Sequence, residues 1–139
     1  MIELSWPAKP LWPNFRSRTH WAKTRAVKIA RAEGYYATMA AKVAISAGDV
    51  PLIVQATFYP PDRHARDYDN CGAAIKSQLD GIADALGIND NAFRPQTPII
   101  GEPVKGGRVT VAVIGATTSP DGTEAENGGM GTQAMSAPE

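Results

Sequence analysis

Alternation of apolar and polar residues predicts several short strands in the chain. Residues 2–6 alternate at the amino end, and residues 51–59 follow the same period of two. The turn sequence Lys105-Gly106-Gly107 precedes a last predicted strand over residues 109–114, and Ile99-Ile100 is a further short candidate. These segments are too short and too scattered for a parallel α/β sheet, so a small mixed or antiparallel sheet is expected.

A helical period predicts two main helices between these strands. The first covers residues 20–46, with Thr19 as its N-cap and Gly34 as a point of weakness in its middle. The second covers residues 70–86 and ends at Gly87. The apolar positions that define the first helix are Val27, Ala30, Met39, Val43 and Ala44. Together the elements predict a single compact α+β domain.

The chain divides into a structured part and a tail. Residues 1–115 are expected to form the domain, which is long enough to bury a core. Residues 116–139 are rich in Gly, Ser, Thr, Pro and Ala, lack an apolar period and carry four acidic residues without a base. This composition predicts a disordered tail.

Charge changes the picture of the amino-terminal half. The net charge of the whole chain is +0, yet residues 1–42 contain eight basic residues against two acidic ones. Such a basic segment favours a polyanionic partner.

The single cysteine, Cys71, excludes an internal disulfide, and no apolar run is long enough to cross a membrane. A protein of the cytoplasm is therefore expected.

The candidate chemistry is concentrated in residues 66–90. Asp67 and Asp69 are two positions apart, Lys76 and Asp80 follow at helical spacing from Asp69, and Asp90 returns in the next loop. In one continuous helix, this spacing puts Asp69, Lys76 and Asp80 on one face. Converging carboxylates predict a Mg²⁺ site, with Lys76 neutralising charge on a phosphate.

A structural alternative exists for each of these residues. Asp69 or Asn70 could cap the second helix, Lys76 and Asp80 could form a surface ion pair, and residues 89–91 could form a turn. Spacing alone leaves both interpretations open, although the basic amino-terminal half favours the metal site.

The order of several motifs resembles the RusA family of Holliday junction resolvases, especially the phage and prophage type. The matching segments are Pro13-Asn14-Phe15-Arg16, His20-Trp21-Ala22-Lys23, Arg66-Asp67-Tyr68-Asp69-Asn70, Lys76-Ser77-Gln78-Leu79-Asp80-Gly81-Ile82 and Lys105-Gly106-Gly107-Arg108. Two features depart from the family pattern. The lysine lies one helical turn further from the acidic motif, and asparagines flank Asp90.

The resemblance implies a homodimeric endonuclease of the bacterial cytoplasm that nicks four-way DNA junctions symmetrically during recombination and repair. Its metal ligands would be Asp67, Asp69 and Asp90, holding Mg²⁺ or, in substitution, Mn²⁺, and its essential lysine would be Lys76. Asp80 and Asn70 are second in rank. The alternatives are a non-catalytic nucleic-acid-binding module of the same fold and a nuclease for other branched DNA, such as forks or flaps.

Several residues outside the acidic stretch are candidates for DNA contacts. The expected phosphate contacts are Asn14, Arg16, Arg18, Lys23, Arg63 and Arg66. For Arg63 and Arg66, a structural ion pair is the alternative. Trp21 is expected to be buried against the sheet rather than exposed to DNA, and Cys71 is expected to be a small buried residue of the second helix.

Overall fold

The computed structural model describes residues 1–16, 20–43, 45 and 51–115. In chain order, its strands and helices are β1 (Ile2–Ser5), α1 (Trp21–Ala40), β2 (Leu52–Tyr59), α2 (Tyr68–Ala74), α3 (Lys76–Leu86), β3 (Phe93–Pro95), β4 (Ile99–Ile100) and β5 (Arg108–Gly115). This is the predicted α+β domain. The predicted N-cap Thr19 and the predicted tail lie outside the described residues.

The five strands form one mixed sheet. Strand β5 is central, because it pairs antiparallel with β1 on one side and with β2 on the other. The far edge of β2 pairs in parallel with β3 at one end and with β4 at the other. Alternate residues of β2, namely Leu52, Val54, Ala56 and Phe58, are buried in the core, as their period of two predicts.

Helix α1 packs along α3 through a ridge of small side chains. The buried residues of α1 are Ala26, Ala30, Gly34 and Thr38, which recur at every fourth position. A Cβ atom on Gly34 would overlap with the backbone carbonyl of Gln78, and one on Gly81 would overlap with that of Arg31. Gly34 is therefore a point of close contact between two helices, whereas its sequence context suggested only a weakness.

Two predicted helix boundaries are wrong. Helix α1 ends at Ala40 rather than near residue 46, and Lys42 follows with a left-handed φ of 54° that a continuing helix cannot accommodate. The second predicted helix is divided at Ile75, whose φ and ψ are −96° and 4° and whose side chain is buried in the core. Helix α1 is therefore shorter than predicted. The break at Ile75 places the acidic motif and Lys76 on two different helices.

The side-chain predictions for Cys71 and Met39 have opposite outcomes. Cys71 is fully buried on α2, as expected, and burial raises the pKa of its thiol. Met39, assigned to the apolar stripe of the first helix, is exposed.

None of the helices in the described part of the chain is both long and apolar enough to span a membrane.

Candidate active site

Lys76 is the centre of a small charged cluster. Its Nζ atom donates to Oδ1 of Asp80 at 2.8 Å and to Oδ2 of Asp90 at 3.1 Å. Asp80 lies one turn further along α3, and Asp90 lies in a single 3₁₀ turn, Asp90–Ala92, that follows the helix. The sequence prediction that Asp90 returns towards the helix is confirmed for its approach to Lys76 and Asp80.

Local geometry explains why Asp90 reaches this position. Gly87 ends α3 with a left-handed φ of 70°, which reverses the chain immediately after the helix. The side chain of Asn89 then accepts a hydrogen bond from the backbone N–H of Asn91 at 2.9 Å. The asparagines flanking Asp90 thus include one that forms the turn, as the structural alternative for this loop stated.

Lys76 and Asp90 stabilise each other in their charged forms. Hydrogen bonding to Asp80, and secondarily to Asp90, raises the pKa of Lys76 above its ordinary value. The same contact with Lys76 lowers the pKa of Asp90. Lys76 is therefore an ammonium ion at neutral pH and can act as a positive charge rather than as a general base. Its ion pair with Asp80 is the structural alternative that the spacing left open.

The acidic motif begins α2 rather than the helix of Lys76. Asp67 is the N-cap, and its Oδ1 accepts hydrogen bonds from the backbone N–H groups of Asp69 at 2.8 Å and Asn70 at 3.3 Å. Asp69 is exposed in the first turn. The prediction that Asp69, Lys76 and Asp80 share one face of one helix is wrong, because the break at Ile75 separates Asp69 from the other two.

The carboxylates suit a divalent cation by their chemistry. Asp67, Asp69 and Asp90 offer exposed oxygen ligands, and Mg²⁺ needs only one or two carboxylates when substrate phosphates complete its shell. Within the described ranges, however, no group of three or more His, Cys, Asp or Glu side chains is gathered closely enough to hold a metal ion. The chemistry of the donors suits the ion, but the described side chains do not bring three of them together at one point.

A polar pocket of about 320 Å³ adjoins the charged cluster. Asp80, Asn89 and Asp90 line it together with Arg31 of α1 and Asp84 of α3. Arg31 donates to both carboxylate oxygens of Asp84, at 2.6 and 2.9 Å. This pair was not predictable from local pattern because its members lie 53 residues apart, although Arg31 is one of the eight basic residues of residues 1–42.

Four of the six residues predicted to contact phosphates have exposed side chains. Asn14, Arg16 and Lys23 are exposed and available, while Arg18 lies outside the described residues. Arg63 contacts Glu102 at 3.3 Å on an open surface. Its ion pair is weak enough to exchange for a phosphate.

The side chain of Arg66 is held by contacts within the protein. Its guanidinium pairs with Asp62 at 2.8 Å, donates to the carbonyl of His64 and lies 5.4 Å from the ring centroid of Trp6. The hydrogen bond from Arg66 lowers the pKa of Asp62. The ion pair named as its alternative is thus present, and it fixes the segment that leads into Asp67.

Trp21 contradicts its prediction. It is 64% exposed and stacks on His20, with ring centroids 4.8 Å apart, instead of packing against the sheet. Ile29, Tyr36 and Met39 are also exposed on α1. At 100° per residue, the three side chains lie within about 80° of Trp21 around the helix axis, so the four form one apolar strip on the surface of α1. The exposed Arg25 and Lys28 lie between Trp21 and Ile29.

Comparison with known proteins identifies a relative of this chain. No family model matches the sequence. An uncharacterized protein of Xylella fastidiosa (strain Temecula1) is 40% identical over 133 residues, which cover 92% of this chain and 81% of that protein. At this identity and coverage, the chain belongs to the same family as the Xylella protein.

Proposed function

We propose that the protein is a Mg²⁺-dependent DNA endonuclease that nicks Holliday junctions in symmetric pairs. The observation that carries the proposal is the convergence of Asp80 and Asp90 on Lys76. A lysine between carboxylates from two different elements is a suitable charge arrangement for phosphodiester hydrolysis. The resemblance of residues 66–82 to RusA resolvases supports the same activity.

The residues of the chain would share the chemistry as follows. Asp67, Asp69 and Asp90 would hold Mg²⁺, with Mn²⁺ as a substitute, and the bound ion would lower the pKa of a water molecule and polarise the phosphoryl group. Lys76 would pair with a phosphate oxygen and stabilise the charge that develops there. Asp80 would orient Lys76 through their 2.8 Å hydrogen bond.

Exposed basic residues would bind the rest of the substrate. Lys23, Arg25 and Lys28 lie on α1, and Arg16 lies just before it, all with exposed side chains. Phosphate contacts by these residues would make the affinity for DNA fall steeply with salt concentration.

We infer a cytoplasmic location in the bacterial cell, because chromosomal and phage DNA are found there.

A second candidate function is a non-catalytic nucleic-acid-binding module. The observation that favours it is that no three His, Cys, Asp or Glu side chains of the described residues are gathered closely enough to hold a metal ion. Such a module would keep the basic surface and use Lys76 only in its ion pairs. Binding without cleavage would distinguish it from the nuclease.

The test is a nicking assay on a synthetic four-way junction with Mg²⁺, Mn²⁺ or EDTA. We expect metal-dependent nicks in wild type and at least a ~100-fold loss of rate in Asp69→Asn, since one of the proposed Mg²⁺ ligands is removed. Glu3→Gln, which neutralises an exposed carboxylate on β1, is the matched control and should cleave normally.

Each other outcome selects a different function. Binding of the junction without nicks in either metal would favour the module. Nicks in forks or flaps, but not in four-way junctions, would favour a nuclease for other branched DNA. Normal cleavage by Asp69→Asn would contradict the assignment of the acidic motif.

We propose further that the enzyme is a homodimer, because paired nicks in a two-fold symmetric junction suit two related active sites. The part of the apolar strip formed by Tyr36 and Met39 is the surface we assign to the second copy, since large exposed apolar side chains on one helix are typical of an interface.

Tyr36→Glu is expected to convert the dimer into a monomer. Tyr36 is 69% exposed, so a carboxylate there costs little in the isolated chain but would be desolvated between two copies. Light scattering coupled to size-exclusion chromatography measures the mass. Ile114→Glu, at an exposed position of β5, should remain dimeric. An unchanged mass for Tyr36→Glu would contradict the assigned interface.

A further inference from the structure

A second cavity of about 320 Å³ lies between the amino-terminal segment and α1. Trp6, Pro10 and Leu11 line one side, and Ala22, Ala26 and Ile29 line the other. None of the residues lining this cleft lines the polar pocket near Lys76. The cleft is therefore a separate site with mainly apolar walls, of a size that suits a small planar ligand.

The polar lining of the cleft consists mainly of hydrogen-bond acceptors. Glu33 accepts from the backbone N–H of Ser5 at 2.7 Å and from Nε2 of Gln78 at 2.8 Å. An ionised carboxylate has about four acceptor positions, so Glu33 can accept further hydrogen bonds. Oε1 of Gln78 is buried and has no hydrogen-bond partner among the residues that the structure describes. An incoming N–H donor would therefore find an acceptor at Glu33, while Nε2 of Gln78 stays bonded to Glu33 and to the carbonyl of Ser5 at 3.4 Å.

The charge outside these acceptors is positive. Arg25 lines the cleft and is exposed, and Lys23 and Lys28 are exposed on the same helix. A ligand that suits all three features has a flat apolar body, an amine that donates inward and a negative charge that stays outside. A nucleobase with an exocyclic amine, attached to its phosphate backbone, has this combination.

We propose that the cleft binds one unpaired, amine-bearing nucleobase of the DNA substrate. This inference rests on the proposed function in taking DNA as the ligand. The base would lie between the apolar walls, its amine would donate to Glu33, and its phosphate would contact Arg25. Branched DNA supplies such bases where pairing is interrupted, so the cleft would help the protein to distinguish branched DNA from continuous duplex.

Binding in EDTA tests the cleft separately from cleavage. The probes are one fluorescent duplex with a single bulged adenine, the same duplex with an abasic residue there, and one with purine, which lacks the amine. We expect wild type to bind the adenine probe about tenfold more tightly than the abasic probe, from base burial and pairing. Purine should bind with intermediate affinity.

Two variants test whether the cleft itself gives the preference for adenine, and a third variant is their control. Ala22→Leu fills the cleft from α1 and should abolish the preference for adenine over the abasic probe. Ala32→Leu adds the same side chain at an exposed position of α1 outside the cleft and should keep the preference. Glu33→Gln should remove the preference for adenine over purine.

The outcomes separate this inference from the proposed function. If wild type binds all three probes equally, or if Ala22→Leu and Ala32→Leu behave alike, the cleft is not a base site, while the nuclease proposal stands. If wild type binds no DNA at all, both proposals are wrong. Circular dichroism melting of each variant establishes that a lost preference does not reflect unfolding.

Discussion

Gly81→Ala is expected to destabilise the fold by about 3 kcal/mol, although alanine is normally the better helix former. Gly81 is buried on α3, and a Cβ atom there would overlap with the backbone carbonyl of Arg31 on α1. Backbone atoms cannot move aside as a flexible side chain can, so the two helices would have to separate. Urea denaturation followed by circular dichroism measures the change in the free energy of unfolding.

Gly72→Ala is the matched control for this prediction. Gly72 lies in α2, and an added Cβ would meet no atom within 4 Å. The substitution should therefore stabilise the protein by about 0.5–1 kcal/mol through helix propensity. If Gly81→Ala were equally stabilising, the close packing of α1 on α3 would be incorrect.

Gly34→Ala provides a second measurement of the same contact. Its Cβ would overlap with the carbonyl of Gln78, so the single variant should resemble Gly81→Ala. The double variant should be less destabilised than the sum of the two, because one separation of the helices makes room for both methyl groups. Strict additivity would indicate two independent sites of strain.

The sheet shows how much of the fold is predictable from local pattern. Strand β2 alternates over eight residues and its apolar positions are buried, so its period alone located it. Strand β3 was missed because Phe93–Pro95 has only three residues and ends in proline. Its strand conformation comes from parallel pairing with β2, which the sequence of β3 itself does not encode.

The helix break at Ile75 was not predictable from local signals. Ile75 has neither glycine nor proline beside it, and the residues on both sides favour helix. Burial of its side chain in the core accompanies the change of direction. Tertiary packing thus overrides helix propensity here, and the predicted single face of Asp69, Lys76 and Asp80 failed for that reason.

The candidate site was predictable where its contacts are local. The i, i+4 spacing of Lys76 and Asp80 correctly indicated their contact, and the loop after Gly87 correctly returned Asp90. Glu33 was missed because its partners, Ser5 and Gln78, lie 28 and 45 residues away. Such pairings depend on how α1 packs between the amino-terminal segment and α3.

Lys76→Met is expected to reduce junction cleavage by about 100-fold to 1000-fold while leaving the melting temperature close to that of wild type. Methionine keeps much of the length of the side chain but removes the charge that would stabilise the reacting phosphate. Stability should change little, because the Lys76 side chain is 63% exposed and exposed ion pairs contribute little to folding. Single-turnover nicking of a four-way junction, beside thermal denaturation, measures both quantities.

Lys9→Met, at an exposed lysine remote in sequence from the acidic motif, is the matched control and should cleave normally. The combination of lost cleavage and kept stability is what separates a catalytic lysine from a surface ion pair. If the ion pair with Asp80 and Asp90 were the whole role of Lys76, cleavage would continue in Lys76→Met. That result would contradict the assignment of Lys76 directly, because the variant would still be folded and could still bind the junction through its basic surface.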